Sequence, residues 1–76
     1  MKVQGKPLED YYSPLCCLEA AFKSSGLNVE FEFNFYPVTN LKYVTITHNG
    51  GHKVCVSIEG DSPAQAVKDV AEVVRL

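Results

Sequence analysis

The chain has 76 residues, of which 46% are hydrophobic, and a formal net charge of −2 at pH 7. This length is enough for one hydrophobic core, the apolar fraction is too high for a disordered chain, and the near-neutral charge argues against a general binder of polyanions. No apolar run approaches the roughly 18 residues of a membrane span, and the chain turns polar too soon after Met1 for a signal peptide.

The three cysteines, Cys16, Cys17 and Cys55, form neither an even set nor a spaced framework. Adjacent cysteines rarely bridge each other, because the ring would strain the peptide bond between them. The cysteine pattern therefore favours a reducing, cytoplasmic setting. A core of this size is marginal without crosslinks, so a homodimer is one hypothesis.

Residues 1–12 show no clear periodicity, and we interpret them as an N-terminal tail in which Lys2–Gln4 is a candidate edge strand. A single domain is expected over residues 13–76. Ser13 and Pro14 are typical of an N-cap and a first helical position, so the first helix is predicted to begin there.

The first helix is predicted to end at Gly26, a residue suited to a C-terminal cap. Its only charged residues, Glu19 and Lys23, are four positions apart in the order that favours an ion pair on the helix surface. Because the helix is apolar nearly all round, Cys16 and Cys17 are expected to be buried as small hydrophobic side chains. A reactive thiol is the alternative, since a helix start can lower the pKa of a thiol.

Residues 29–36 alternate between apolar and polar side chains and predict a strand that ends at Pro37. A second strand is predicted from about Leu41 to His48. For the turn that follows, a three-residue loop of Asn49, Gly50 and Gly51 places apolar residues opposite one another on the next strand. Gly51 is expected to adopt the left-handed conformation in this loop. The expected strand pairs are His48 with His52, Ile46 with Val54, and Val44 with Val56.

The last helix is predicted to follow Gly60 and Asp61, with Ser62 as its N-cap, Pro63 in its first turn and Gln65 completing a capping box. Val67, Val70, Ala71 and Val74 form its apolar stripe. The predicted fold class is α+β, in the order α-β-β-β-α. A three-stranded antiparallel sheet carries both helices on one face, which is lined by Phe31, Phe33, Val44, Ile46, Val54 and Val56.

From Ser13 onward this element order resembles the double-stranded-RNA-binding domain. Pro14 opening the first helix, the Gly-Gly turn between the later strands and the capped last helix agree with that family. The resemblance implies RNA contacts from a lysine-rich start to the last helix, from a histidine-containing loop and from a polar residue of the first helix. This chain has Pro63, Ala64 and Val67 in the lysine segment and Pro37–Asn40 in the loop. Only Glu19 is near an expected contact, so we expect the fold without the RNA activity.

Other candidate sites are incomplete. His48 and His52 face each other across a hairpin mouth, but a closed metal site needs about four ligands, so solvated histidines are the simpler interpretation. Glu30 and Glu32 lie two apart on a strand surface, with no reason to be desolvated. We therefore expect no enzyme activity, no metal and no cofactor.

The outward-facing side chains of the sheet are the remaining candidate site, because tyrosines among small polar groups are common in protein-binding patches. A solvated sheet surface has the same composition, so this alternative stays open. The leading hypothesis is a non-catalytic protein-binding module, either an adaptor or an inhibitor. Phage-encoded inhibitors of host machinery, such as anti-CRISPR proteins, are the analogy in size. The alternative is a diverged nucleic-acid-binding domain that uses Lys2, Lys6, Lys42, Lys53 and Lys68. The expected protein-binding residues are Glu30, Glu32, Asn34, Tyr36, Tyr43, Thr45, Thr47 and Lys53.

Overall fold

The computed structural model of the protein describes residues 1–75. Its elements are β1 (Lys2–Gly5), α1 (Glu9–Ser24), β2 (Val29–Tyr36), β3 (Leu41–His48), β4 (His52–Ser57) and α2 (Pro63–Arg75). The four strands form one sheet in the order β1-β2-β3-β4, and both helices pack on one face of it. The α+β class and the α-β-β-β-α order of residues 9–75 are therefore confirmed.

The predicted three-stranded antiparallel sheet is wrong, because the sheet has four strands and is mixed. Residues 2–5 form β1, which pairs with β2 in parallel, Val3 lying beside Phe33. β1, α1 and β2 thus make a βαβ unit at the edge of an otherwise antiparallel sheet. β1 contains the candidate edge strand Lys2–Gln4, and the segment interpreted as a tail contributes to the fold, since Met1 and Val3 pack against the core.

The first helix begins one turn earlier than predicted, at Glu9 instead of Ser13. Tyr12 already donates its backbone N–H to the carbonyl oxygen of Leu8 (2.9 Å), so Pro14 lies inside the helix. Ser13 donates its hydroxyl to Glu9 and does not act as the N-cap. Tertiary contacts of this extra turn outweigh the local start signal at Pro14.

The end of α1 is confirmed at Gly26. Gly26 N–H donates to Lys23 O and Leu27 N–H donates to Phe22 O, both at 3.0 Å. These two bonds are those of a Schellman motif, which satisfies the last carbonyls of the helix. The chain then enters β2 three residues later.

The expected ion pair between Glu19 and Lys23 is wrong, because Glu19 is buried at 5% exposure. Its carboxylate accepts the backbone N–H of Phe31 (2.6 Å) and lies 3.0 Å from the amino group of Met1. Lys23 instead lies 3.2 Å from Glu30. Glu19 therefore satisfies a backbone donor of β2 at the point where β1 begins.

The predicted pairing of β3 with β4 is confirmed in register, with His48 opposite His52 and Ile46 opposite Val54. The conformation predicted for the turn is wrong: Asn49 and Gly50 have positive φ, of 50° and 78°, and Gly51 does not. Gly51 N–H donates to His48 O (3.1 Å). The tight turn is therefore centred on Asn49–Gly50, and Gly51 is the extra residue of a β-bulge.

The core lies between the sheet and the two helices. Phe31 and Phe33 of β2 and Val44 and Ile46 of β3 are almost completely buried, as predicted. Val54 and Val56 of β4 are only half-buried, because β4 is an edge strand of the sheet. The remaining core residues are Leu15, Phe22, Val29, Ile58, Ala66, Val70 and Ala71.

The start of α2 is confirmed in part. Ser62 accepts the backbone N–H of Gln65 (3.2 Å), as an N-cap does. The Gln65 side chain, however, donates to Asp69 (2.9 Å) and does not return to Ser62, so the predicted capping box has one of its two bonds.

Candidate protein-binding face

The face of the sheet opposite the helices, called the outer face here, is built from side chains that meet in rows across the strands. Because side chains alternate along each strand, the strand register fixes which residues are neighbours. The first row is Glu30, Thr47 and Lys53; the second is Lys2, Glu32, Thr45 and Cys55; the third is Gln4, Asn34, Tyr43 and Ser57; the fourth is Tyr36 and Leu41. The eight predicted site residues therefore share one surface, to which β1 adds Lys2 and Gln4.

The first two rows enclose a shallow hollow of about 490 Å³. Its rim carries two acids, Glu30 and Glu32, and two lysines, Lys2 and Lys53. Thr45 and Thr47 line it between them. Opposite charges placed side by side with hydroxyl groups suit a polar ligand surface that carries both signs of charge. They do not form a phosphate-binding basic patch.

Asn34 lies in the third row but is unavailable for contact with a partner. It is only 2% exposed, and its amide nitrogen donates to Glu32 O (3.0 Å), Tyr43 O (3.4 Å) and the hydroxyl of Thr45 (3.3 Å). It is therefore a structural residue that crosslinks β2 and β3 from the outer side. The sequence predicted its direction correctly but not its burial.

At the fourth row and the turn beside it, three hydrophobic side chains are exposed: Tyr36, Val38 and Leu41, called the apolar tip here. Within residues 1–75, four large hydrophobic side chains are more than a third exposed, and three of them are in the apolar tip. Val38, at the turn between β2 and β3, is 99% exposed. The sequence predicts this turn only as a loop. Its one signal for an exposed apolar group is Val38, which lies between Pro37 and Thr39, where turn residues are usually polar.

A polar cluster joins the first turn of α1 to the loop before α2. The hydroxyl of Tyr11 donates to the backbone carbonyl of Asp61, and its ring stacks on Phe33. The Lys42 ammonium lies over that ring and donates to its hydroxyl (3.0 Å). The interaction with the Asp69 carboxyl raises the pKa of Asp61, and the same interaction lowers the pKa of Asp69. This cluster holds the extra helical turn in place.

The cysteines and histidines do not converge on one site. Cys16 is half-buried, whereas Cys17 is exposed, so the prediction that Cys17 is buried is wrong. Cys55 is exposed on the outer face, 3.7 Å from the Thr45 hydroxyl. The rings of His48 and His52 face each other at 6.3 Å, as predicted, at the other end of the sheet. Within residues 1–75 no three His, Cys, Asp or Glu side chains are grouped as a metal site would require.

Neither described helix is long and apolar enough to cross a membrane. No protein-family model, no curated protein and no solved structure matches the chain. The geometry of residues 1–75 is therefore the basis for any functional proposal.

Proposed function

We propose that this protein is a non-catalytic protein-binding module, an adaptor or inhibitor, that binds its partner through the outer face and the apolar tip. The main support for this proposal is the exposure of the apolar tip. Within residues 1–75, Tyr36, Val38 and Leu41 are all exposed at one end of a sheet face that neither helix covers.

Exposed hydrophobic groups of this kind, bordered by polar residues, are typical of protein interaction sites. Aromatic and aliphatic anchors usually supply most of the binding energy, and polar groups around them exclude water and set specificity. Here the tip supplies the anchors, and the hollow with Glu30, Glu32, Lys2 and Lys53 supplies the polar part. We expect a partner with an apolar pocket for the tip and charges of both signs beside it.

The arrangement of the helices and the sheet also supports this proposal. The α-β-β-β-α order resembles the double-stranded-RNA-binding domain, and in this chain β1 adds a fourth strand at one edge of the sheet. Both helices stabilise one face, so the opposite face is available for recognition. Small phage-encoded inhibitors of host machinery, including anti-CRISPR proteins, are the class of protein to which we compare it, by analogy of size.

Two matched variants test the proposal. Leu27 and Leu41 are both 46% exposed, but only Leu41 belongs to the apolar tip. Purified wild type, Leu41→Lys and Leu27→Lys proteins are used as baits in extracts of the native host, and captured proteins are identified by mass spectrometry. We expect a partner that binds wild type and Leu27→Lys but not Leu41→Lys. Calorimetry with the purified partner should then show that Val38→Lys, Tyr43→Ala and Thr45→Arg weaken binding.

Two control variants change residues outside the outer face and the apolar tip. Cys16→Ser and His48→Ala should leave the affinity within a factor of about three, since both residues lie outside the outer face. Equal loss of binding in Leu27→Lys and Leu41→Lys would refute the role of the tip. Loss of activity in a folded Cys16→Ser or His48→Ala protein would require a thiol or metal mechanism instead.

A further inference from the structure

Within residues 1–75, β4 is the last strand of the sheet, and one of its sides has no partner strand. Ile58 N–H donates to Lys42 O (2.9 Å), and bonded pairs alternate along an antiparallel ladder. The even-numbered residues of β4 therefore bond to β3. The backbone N–H and C=O groups of Lys53, Cys55 and Ser57 point away from the sheet, where another strand can pair with them.

The same edge has a partly exposed apolar strip on its helix side. Val54 and Val56 are half-buried, as are Val73 and Val74 of α2. Val54, Val73 and Val74 line one side of a groove of about 540 Å³ that His48 and His52 close at one end. The free edge of β4 and the apolar groove are therefore adjacent. A strand that paired with β4 would cover both of them.

We propose that a second copy of this chain occupies this edge, with the two β4 strands antiparallel and centred on Cys55. The result is a symmetric dimer with one continuous eight-stranded sheet and all four helices on the same face. The interface is isologous, so each copy contributes the same residues. This dimer is independent of the outer-face binding proposed above, because neither the hollow nor the apolar tip is needed to form it.

The register centred on Cys55 is self-complementary. It places Lys53 opposite Ser57 of the second copy and Val54 opposite Val56 of the second copy. All three free pairs of backbone groups on each copy are then bonded, and no like charges face each other. A register centred on Lys53 would oppose two lysines and leave Ser57 unpaired.

The other edge of the sheet is a poorer place for a second copy. β1 has only four residues and is followed two positions later by Pro7, which cannot donate a ladder hydrogen bond. Short length and a nearby proline are two of the features by which proteins prevent an edge strand from pairing with another chain. β4 has six residues, and its apolar strip gives the second copy a surface to bury.

Sedimentation equilibrium over a wide concentration range tests the dimer directly. Two variants target it: Ser57→Pro removes a free N–H without touching the bonds to β3, and Val56→Lys places a charge in the apolar strip. Each should raise the dissociation constant of the dimer at least about tenfold. Val38→Lys is the control, because it changes an exposed valine in the turn between β2 and β3 and should leave the dimer intact while weakening partner binding. Circular dichroism confirms that each variant is folded.

Crosslinking tests the register. In a hydrogen-bonded antiparallel pair the two Cα atoms are about 5.5 Å apart, which is within the range of a disulfide. Diamide, which takes up the two electrons and two protons released by the thiols, should therefore crosslink the Cys16→Ser/Cys17→Ser protein through Cys55. The Cys55→Ser protein should give no such dimer. A chain that is monomeric at every concentration, a dimer that resists both Ser57→Pro and Val56→Lys, or crosslinking that needs Cys17 would each overturn the proposal.

Discussion

Within residues 1–75, one buried polar residue lies on each side of the sheet, and the comparison of the two shows how differently the two sides are used. On the helix side, Glu19 of α1 is 5% exposed and bonds to the backbone of β2 beside an otherwise apolar core. On the outer side, Asn34 is 2% exposed and bonds to its polar neighbours on β2 and β3. Glu19 accepts a backbone N–H of β2, whereas Asn34 donates hydrogen bonds to groups of β2 and β3 on the polar outer face.

This difference separates stability from recognition. The inner face consists of large side chains without access to water, so most of the hydrophobic free energy of folding arises there. The outer face consists mainly of partly exposed side chains whose replacement changes little buried area. Substitutions on the two faces should therefore separate into those that unfold the protein and those that alter only binding.

The largest effect is expected for Phe33→Ala. Phe33 is completely buried and stacks on Tyr11 at 6.0 Å, so its removal leaves a cavity in the core and costs about 3–5 kcal/mol of unfolding free energy. Tyr43→Ala, on the outer face one strand away, should cost no more than about 1 kcal/mol. Urea unfolding of both variants measures the difference. Equal losses of unfolding free energy in the two variants would show that the inner face does not contribute more to stability than the outer face.

Glu19→Ala should follow, with a loss of about 2–3 kcal/mol, because the Phe31 N–H and the Met1 amino group would lose their buried partner. Glu19→Gln tests the charge separately, since an amide oxygen can still accept the Phe31 N–H. Glu19→Gln should therefore lose less unfolding free energy than Glu19→Ala in the same urea experiment. A Glu19→Ala protein as stable as wild type would refute this role.

The pH dependence of stability adds a second test of Glu19. Its hydrogen bond raises the pKa of the Met1 amino group above the ordinary value of 8.0. A raised pKa in the folded state stabilises the protein at pH values below about 8, and this contribution is lost as the pH rises through the folded-state pKa. Wild type should therefore lose stability on the alkaline side more steeply than Glu19→Gln. Parallel pH profiles would contradict the ion pair.

Gly5→Ala should give the next effect, at the join between β1 and β2. Gly5 has φ +77°, and an added Cβ would lie 2.1 Å from the carbonyl oxygen of Phe35, so β1 must shift. Gly60 has the same φ, with open space around it, and isolates the cost of backbone strain. Gly60→Ala should cost about 1 kcal/mol, and Gly5→Ala at least about 1 kcal/mol more. Thermal unfolding of the pair measures the difference, and equal melting temperatures would mean that β1 adjusts freely.

These residues also show where sequence reasoning succeeded. The three antiparallel strands and their register follow from local alternation, since one buried face leaves a single acceptable pairing. The cap of α2 and the end of α1 follow from local turn chemistry. The mixed sheet does not follow in this way. In the sequence Lys2–Gln4 is only a candidate edge strand, because the four residues of β1 are too few for a periodic signal, and the parallel pairing with β2 depends on residues about 30 positions away. Glu19 was misplaced for the same reason, because its partners are distant in sequence.

The candidate site shows the same limit. Alternation predicted which side chains share the outer face, and the strand register confirms that they do. It could not reveal that Asn34 is buried, because burial depends on neighbours from other strands. Nor does alternation mark Val38, which lies between Tyr36 and Leu41 in the chain but in a turn, outside the strands where alternation applies.

The smallest effect is expected with duplex RNA, which should not bind measurably at physiological salt. The positions where the resembled family carries its lysine clamp hold Pro63, Ala64 and Val67, none of which can pair with phosphate. The lysines of this chain are dispersed. Lys2 lies opposite Glu32, Lys53 lies across the same hollow from Glu30, and Lys42 donates a hydrogen bond to Tyr11.

A gel shift with a duplex of about 16 base pairs, over a range of salt concentrations, tests this expectation. Phosphate contacts dominate affinity for nucleic acids and make it depend steeply on salt. Restoring the clamp with Pro63→Lys, Ala64→Lys and Val67→Lys gives a positive comparison, because these changes add charge without altering the outer face. Salt-sensitive, submicromolar binding by the wild type would favour the nucleic-acid-binding alternative. Binding by the triple variant alone would show that the scaffold can hold RNA and that this chain lacks only the charges.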